Sequence, residues 1–284
     1  MTSARDIDAK EGVAKQGGRE RFAWRESGPN SGGAAVLVLL HGLGGSRLSW
    51  EPQLEALAGD HRVVAWDMPG YGGSAPIEGD LTFAVLADAV VDFIDAIGAE
   101  VVHLAGISFG GMIAQYVAAR SPSRLASLTL LSTSPAFGLD GTKPDEWRAA
   151  RLAPLDAGFE PADFALDVLT AIAGPNISPE ALEGQRAAMA RVPGQAMRQS
   201  IDCLVTHDSR ALLPEIGAPT LCAVGELDDE TPVAYGYALA DLIPHARLAV
   251  VPDAGHLLNV EAPEAVNQLL EEQMHRNTIG STQL

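Results

Sequence analysis

Leu104-Ala-Gly-Ile-Ser-Phe-Gly-Gly-Met-Ile-Ala-Gln115 is the stretch on which the reading of this chain turns. The apolar run Val101-Val-His-Leu-Ala105 that leads into it reads as a buried strand. Beyond it, Met112, Ile113, Tyr116 and Val117 recur at helical spacing until Ser121-Pro122 stops the pattern. Between strand and helix lies Gly106-Ile-Ser108-Phe-Gly110, a G-x-S-x-G match in the strand, turn and helix context that gives the motif meaning. A sharp turn that lifts a serine out of the sheet edge leaves no room for side chains two residues to either side, and glycine removes them. Ser108 would then stand exposed at a helix start, where unpaired N–H groups and the positive dipole end favour negative charge. It is the candidate nucleophile.

Outward from this turn, strands rich in apolar residues alternate with helices. Ala35-Val-Leu-Val-Leu-Leu40 is a strand that runs into His41-Gly-Leu-Gly-Gly45, and a short helix follows from Ser49 to about Ala58. Arg62 to Trp66 is a strand leading into the loop Asp67 to Ser74. Phe83, Leu86, Val90, Phe93, Ile94 and Ile97 share one face of a helix over Thr82–Ile97, stopped by Gly98. Leu125 to Leu131 is the next strand, and Arg19 to Arg25 reads as an edge strand. From about Phe137 to Arg210 no strand is evident, and helices are expected over 147–155, 161–173 and 179–192. Alternation resumes with strands at Thr220–Val224 and Arg247–Val251, a helix from near Pro232 and a last one from Pro263.

The fold class expected is α/β, a mostly parallel central sheet with helices on both faces. The expected division is a disordered segment over 1–18, a core over 19–136 and 211–276, a helical cap over 137–210 and a tail over 277–284.

The 284 residues are 47% hydrophobic and carry a net charge of −18, which suits a globular chain and argues against nucleic acid or an anionic membrane as partner. No apolar run is long enough to span a bilayer or to resemble a signal peptide, and the two cysteines, Cys203 and Cys222, read as small core residues. A reducing, cytoplasmic setting is therefore expected. The sequence leaves room for a homo-oligomer.

A serine hydroxyl needs a base to take its proton, and the base needs a group to fix its tautomer. Partners are expected in loops after other strands, on the same sheet edge. His256 in Pro252-Asp-Ala-Gly-His256 qualifies as the base. In Gly225-Glu-Leu-Asp-Asp-Glu-Thr-Pro232, Glu226, Asp228 and Asp229 compete for the acid. His41, at a strand end, reads as a shaper of the loop after it.

The motifs His41 to Gly45, Asp67 to Ser74, Gly106 to Gly111 and Ala254 to Glu264 jointly resemble the α/β-hydrolase superfamily, over about residues 20 to 275. The resemblance is nearest to 3-oxoadipate enol-lactonase-like esterases. It implies the α/β-hydrolase fold with a helical cap inserted after the sixth core strand, and the order serine, acid, histidine, with the acid at Asp228. It also implies an oxyanion hole from the backbone N–H groups of Leu43 and Phe109, where losing one donor costs roughly 3 to 4 kcal/mol of barrier.

The expected function is cleavage of a small-molecule ester or lactone through an acyl-enzyme on Ser108, with His256 and Asp228 completing the triad. One alternative is a carbon–carbon bond hydrolase of the meta-cleavage-product type, from which Leu257 and the Leu43-Gly44-Gly45 loop depart. Another is a small-molecule receptor on the same fold without turnover. The serine nucleophile excludes the dehalogenase and epoxide-hydrolase relatives, which use a carboxylate. No metal or organic cofactor is expected.

The cap is rich in arginine for an acidic protein. Arg148, Arg151, Arg186, Arg191 and Arg198, with Arg47 beside the oxyanion loop, are candidates to bind a substrate carboxylate bidentately. Trp147 is a candidate pocket wall.

Overall fold

The computed structural model describes residues 9–16, 19–30 and 34–276. In chain order the elements are β1 (Lys10–Gln16), β2 (Arg19–Ser27), β3 (Val36–Leu40), α1 (Glu51–Ala56), β4 (Arg62–Trp66), α2 (Phe83–Ala96), β5 (Val102–Ile107), α3 (Phe109–Arg120) and β6 (Leu125–Leu131). There follow α4 (Pro144–Asp156), α5 (Pro161–Ile172), α6 (Pro179–Met189), α7 (Gly194–Leu204), β7 (Thr220–Gly225), α8 (Val233–Leu242), β8 (Arg247–Val251), α9 (Leu258–Glu261) and α10 (Pro263–His275). The strands form one sheet in the order β1-β2-β4-β3-β5-β6-β7-β8. Only the β1–β2 and β2–β4 pairs are antiparallel; from β4 to β8 every pair is parallel.

The central strands are apolar on both faces because both are covered. Val38 and Leu40 of β3, with Leu104 and Leu128, join the core beneath α2 and α3. Leu37 and Leu39, with Ala105 and Leu131, face the opposite core with Val266, Leu270 and Met274 of α10. Neighbouring residues of one strand thus serve different layers, as the two-residue side-chain period requires. Thr82 caps α2, its Oγ1 accepting from Val85 N–H at 3.2 Å.

Two expectations at the start of the chain are corrected. Residues 10–16, expected to be disordered, pair with β2, so β2 is an interior strand and β1 is the edge. The segment Lys-Glu-Gly-Val-Ala-Lys-Gln has little to bury, and its strand rests on backbone pairing. Gly12 also leaves room for the Trp24 indole, which a β-carbon there would meet at 2.0 Å. Residues 1–8, 17–18 and the expected tail at 277–284 lie outside the described residues.

Between β6 and β7 stand four helices, α4 to α7. Three fall where sequence periodicity places them, and α7 is additional. The two ends of this insertion are held together by an isolated antiparallel bridge between Ala136 and Asp208, with Phe137 N–H donating to His207 O at 2.8 Å. Among the described residues no helix is long and apolar enough to cross a membrane.

Candidate active site

Parallel pairing brings the C-terminal ends of β3, β5, β7 and β8 to one sheet edge, and each is followed by a loop singled out in the sequence. After β5, Ser108 adopts φ 52 and ψ −119, outside the regions an L-residue prefers. Three bonds hold it there: its N–H donates to Leu131 O at 2.9 Å, and its carbonyl accepts from Met112 N–H at 3.0 Å and Thr133 Oγ1 at 2.8 Å. The turn closes against its neighbours because a glycine stands on each side. A β-carbon at Gly110 would lie 2.2 Å from Leu40 O, and one at Gly106 would lie 2.4 Å from Gly110 O. Phe109 begins α3, so its N–H belongs to the first helical turn, which has no intrahelical acceptor.

His256, in the loop after β8, places Nε2 3.0 Å from Ser108 Oγ. Its Nδ1 lies 3.0 Å from each oxygen of Asp228. Asp228 is itself held by Glu230 N–H at 3.0 Å, Thr231 N–H at 2.8 Å and Thr231 Oγ1 at 2.8 Å. A carboxylate surrounded by donors keeps the proton of His256 on Nδ1, which leaves Nε2 free to accept from the serine. Burial would lower the pKa of His256, but the charge of Asp228 and its hydrogen bond, with smaller effects from Glu230 and Glu261, outweigh burial and hold the imidazole above its ordinary 6.5. For Asp228, burial pushes upward, and His256 and Thr231 more than reverse it, so the carboxyl titrates below its usual range.

The competing acids do other work. Glu226 is exposed and accepts from Asp253 N–H at 3.3 Å, and Asp229 is exposed on the wall of a neighbouring cavity. Two supports were not legible beforehand. Thr231, three residues past the acid, buttresses Asp228 by the bonds above; a hydroxyl at that spacing in a tight loop is a signal that could have been weighed. Glu261 accepts from Gly255 N–H at 2.7 Å and Leu257 N–H at 2.9 Å, fixing the backbone on both sides of His256.

The loop after β3 is shaped by His41, as expected. Its Nδ1 donates to Gly42 O at 2.9 Å, its Nε2 accepts from Met68 N–H at 3.0 Å, and its ring stacks on Tyr71 with centroids 5.4 Å apart. Burial holds its pKa below the ordinary value despite the Gly42 carbonyl and Asp67. The neutral imidazole therefore ties the loop after β3 to the loop after β4.

Ser108 sits at the junction of two cavities. One, of about 110 Å³, runs beneath the inserted helices between Leu43, Val168, Ile172, Gln185, Met189 and Leu257. The other, of about 250 Å³, is walled by more polar groups that include Ser134, Asp140, Thr142, Asp229 and Tyr235. Trp147, Arg151 and Glu230 border both. A larger cavity, of about 600 Å³, lies between β2 and α2 and does not reach Ser108; the paired serine and histidine make the smaller pair the candidate site.

Of the arginines singled out, only Arg151 reaches these cavities. Its Nη2 lies 3.2 Å from Glu230 Oε1, and its guanidinium stands 5.1 Å from the Trp147 ring centroid. Trp147 is a cavity wall, also packed edge-on against Phe137. Arg47 is drawn off by an ion pair to Asp67 and another to Glu11 at 2.7 Å, and it lines neither cavity. Arg148 pairs with Asp202 at 2.6 Å and Arg186 with Glu183 at 2.6 Å, both on exposed helix faces. Arg198 pairs with Asp156, and Arg191 is exposed away from the cavities. Helix periodicity explains these misses: most of the surplus arginines occupy solvent faces and find acidic neighbours there.

Comparison with known proteins agrees with this architecture. A protein of Azorhizobium caulinodans that bears the name of a carbamate hydrolase, RutD, is 31% identical over 242 residues, covering 84% of this chain and 91% of its own. The 3-oxoadipate enol-lactonase 1 of Acinetobacter baylyi is 29% identical over 250 residues, covering 86% and 89%. The crystal structure of an enol-lactonase from Burkholderia xenovorans superposes with a TM-score of 0.81 at 25% identity, over 93% of this chain and 100% of that one. The sequence profile described as the alpha/beta hydrolase family matches residues 37–269, and the chain belongs to that family.

Proposed function

We propose that this α/β-hydrolase cleaves an ester or lactone of a small molecule through an acyl-enzyme on Ser108. One observation carries the reading: Ser108 Oγ is 3.0 Å from His256 Nε2 while His256 Nδ1 is 3.0 Å from both oxygens of Asp228. Nucleophile, base and orienting acid are thus in hydrogen-bond sequence. As Oγ attacks the substrate carbonyl carbon, its proton passes to Nε2, and the imidazolium is stabilised by Asp228. The oxyanion is received by the N–H groups of Leu43 and Phe109. On collapse, His256 returns the proton to the leaving oxygen. Water then attacks the acyl-enzyme as His256 removes its proton, and Ser108 recovers a hydrogen when the second intermediate collapses.

In a lactone the leaving oxygen stays attached to the acyl chain, so both halves must fit at once; the two cavities meeting at Ser108 suit that demand. The enol-lactonase relatives support the same bond class. Among the described residues that line the cavities, a substrate carboxylate has one arginine or lysine to meet, Arg151, and reaches it only by displacing Glu230.

The test is a panel of chromogenic short-chain esters, lactones, carbamates and vinylogous diketones, with Ser108→Ala as control. Ester or lactone turnover with an acyl burst, abolished in the variant, is the expected result. Cleavage of diketones alone would move the protein to the carbon–carbon hydrolases, and binding without turnover would make it a receptor.

A further inference from the structure

Among the described residues that line the inner cavity at Ser108, one amide has no hydrogen-bond partner. Gln185, on α6, lines it and is 8% exposed, yet its amide has no hydrogen-bond partner among the described residues. Three other polar groups on that wall are already engaged. Ser49 Oγ accepts from Ser46 N–H at 3.2 Å, Asn259 Nδ2 donates to Ser49 O at 2.7 Å, and Arg151 pairs with Glu230. Gln185 is not among the sealed polar groups that lack a partner, so its amide is reachable from the cavity, where it offers two donors and an acceptor to whatever enters. Met189, one turn further along the same helix, lines the same wall with apolar atoms alone. An amide facing a cavity beside the proposed nucleophile is accounted for if a ligand completes it.

The cavity also limits what that ligand can be. At about 110 Å³ it is smaller than the roughly 150 Å³ space that admits a benzene molecule, so only a short group enters. Its wall between Leu43, Val168, Ile172 and Met189 is apolar, and its one cation, among the described residues, is the paired Arg151. An acid group would enter without a counter-charge, whereas a neutral oxygen needs only a donor. The wider, polar cavity is left for the alcohol half.

We propose that Gln185 is a specificity-determining residue that donates a hydrogen bond to a neutral acceptor oxygen carried by a short acyl chain. The preferred substrate is then an oxygenated acyl ester or lactone and not a plain alkyl one. This rests on the acyl-enzyme reading of Ser108 and names the chemistry of its acyl half.

The test compares 4-nitrophenyl 3-methoxypropanoate with 4-nitrophenyl pentanoate, which differ by an ether oxygen in place of a methylene, each rate divided by that in hydroxide. In the wild-type protein kcat/KM should favour the methoxy ester by about tenfold, the scale of one neutral hydrogen bond made in place of an unpaired buried donor. Gln185→Met, similar in size and without donors, should bring the ratio to about one. Gln185→Glu, which at neutral pH can only accept, should lower it as well and decides the matter if the first variant does not fold. A wild-type ratio at or below one, or a ratio unchanged by both substitutions, overturns the proposal. Failure of the serine reading looks different: hydrolysis of both esters would then persist in Ser108→Ala.

Discussion

Ser108 is held at φ 52, and the cost of that backbone is measurable by comparing two inactive variants, Ser108→Ala and Ser108→Gly. Both lose the hydroxyl and its 3.0 Å bond to His256, so that contribution cancels. They differ in what the backbone tolerates. A non-glycine residue in such a region costs about 1 to 3 kcal/mol, and the anchors on Leu131, Met112 and Thr133 prevent the turn from relaxing. Glycine removes that strain but loses about 0.5 to 1 kcal/mol to the freedom it gains in the unfolded chain. Taking the middle of each range, about 2 less about 0.8 kcal/mol, the difference is about 1 kcal/mol in favour of Ser108→Gly. With a slope of about 2 to 4 °C per kcal/mol for domains approaching this size, Ser108→Gly should melt about 2 to 4 °C above Ser108→Ala by calorimetry or dye-based melting. Equal or inverted melting temperatures would refute the idea that strain is stored at the nucleophile position.

Three other outcomes follow from the site. With His256 as the proposed base and its pKa raised, kcat/KM for a neutral ester should climb with pH through a midpoint above 6.5; in Asp228→Asn the midpoint should move down and the plateau fall by about 10⁴-fold, both read from one pH-rate series. Gly110→Ala drives a β-carbon to 2.2 Å from Leu40 O and 2.5 Å from His41 O, so a loss of several kcal/mol or failure to fold is expected, measured by denaturant titration. Glu230→Gln removes the carboxylate paired with Arg151 at 3.2 Å and should raise kcat/KM for carboxylated esters several-fold relative to neutral ones, whereas an unchanged ratio would disconnect Arg151 from substrate charge.

What the sequence shows here is governed by how local each signal is. The serine turn is written in five consecutive residues, since Gly106 and Gly110 answer clashes with backbone at fixed positions. The strands before Ser108 and Asp228 are continuous apolar runs because both sheet faces are covered, and they can be read without knowing the pairing; β8, before His256, is a partly exposed edge strand that carries a short apolar run all the same. β1 has no such signature: its partner supplies the ladder, and only the Trp24 ring over Gly12 explains its composition. The expected arginines failed for a related reason. Arg151 and Arg148 lie three residues apart on α4, yet one borders the cavities and the other pairs with Asp202 on the exposed face. Which face of an inserted helix meets the serine depends on how that helix docks, and its own periodicity does not encode docking. Gln185 was invisible for the same cause, being an ordinary polar residue until α6 turns it inward.

The docking of those helices also bears on the histidine itself. Glu261 Oε2, which accepts from Gly255 N–H, accepts from Gly174 N–H at 2.9 Å as well, and Gly174 belongs to the segment between α5 and α6. The two glycines lie so close that a β-carbon on Gly255 would meet Gly174 N at 2.4 Å, and His256 N–H donates to Ile172 O at 3.3 Å. One carboxylate thus joins the inserted helices to the backbone on which His256 is mounted. Displacing α5 from this position would break the His256 N–H bond to Ile172 O and the Gly174 N–H bond to Glu261, so the packing that shapes the inner cavity also supports the backbone that orients Nε2 toward Ser108. The walls of the inner cavity and the setting of the His256 imidazole are consequently coupled through Glu261, and a helix shift large enough to widen the cavity would strain the backbone that holds His256 3.0 Å from Ser108.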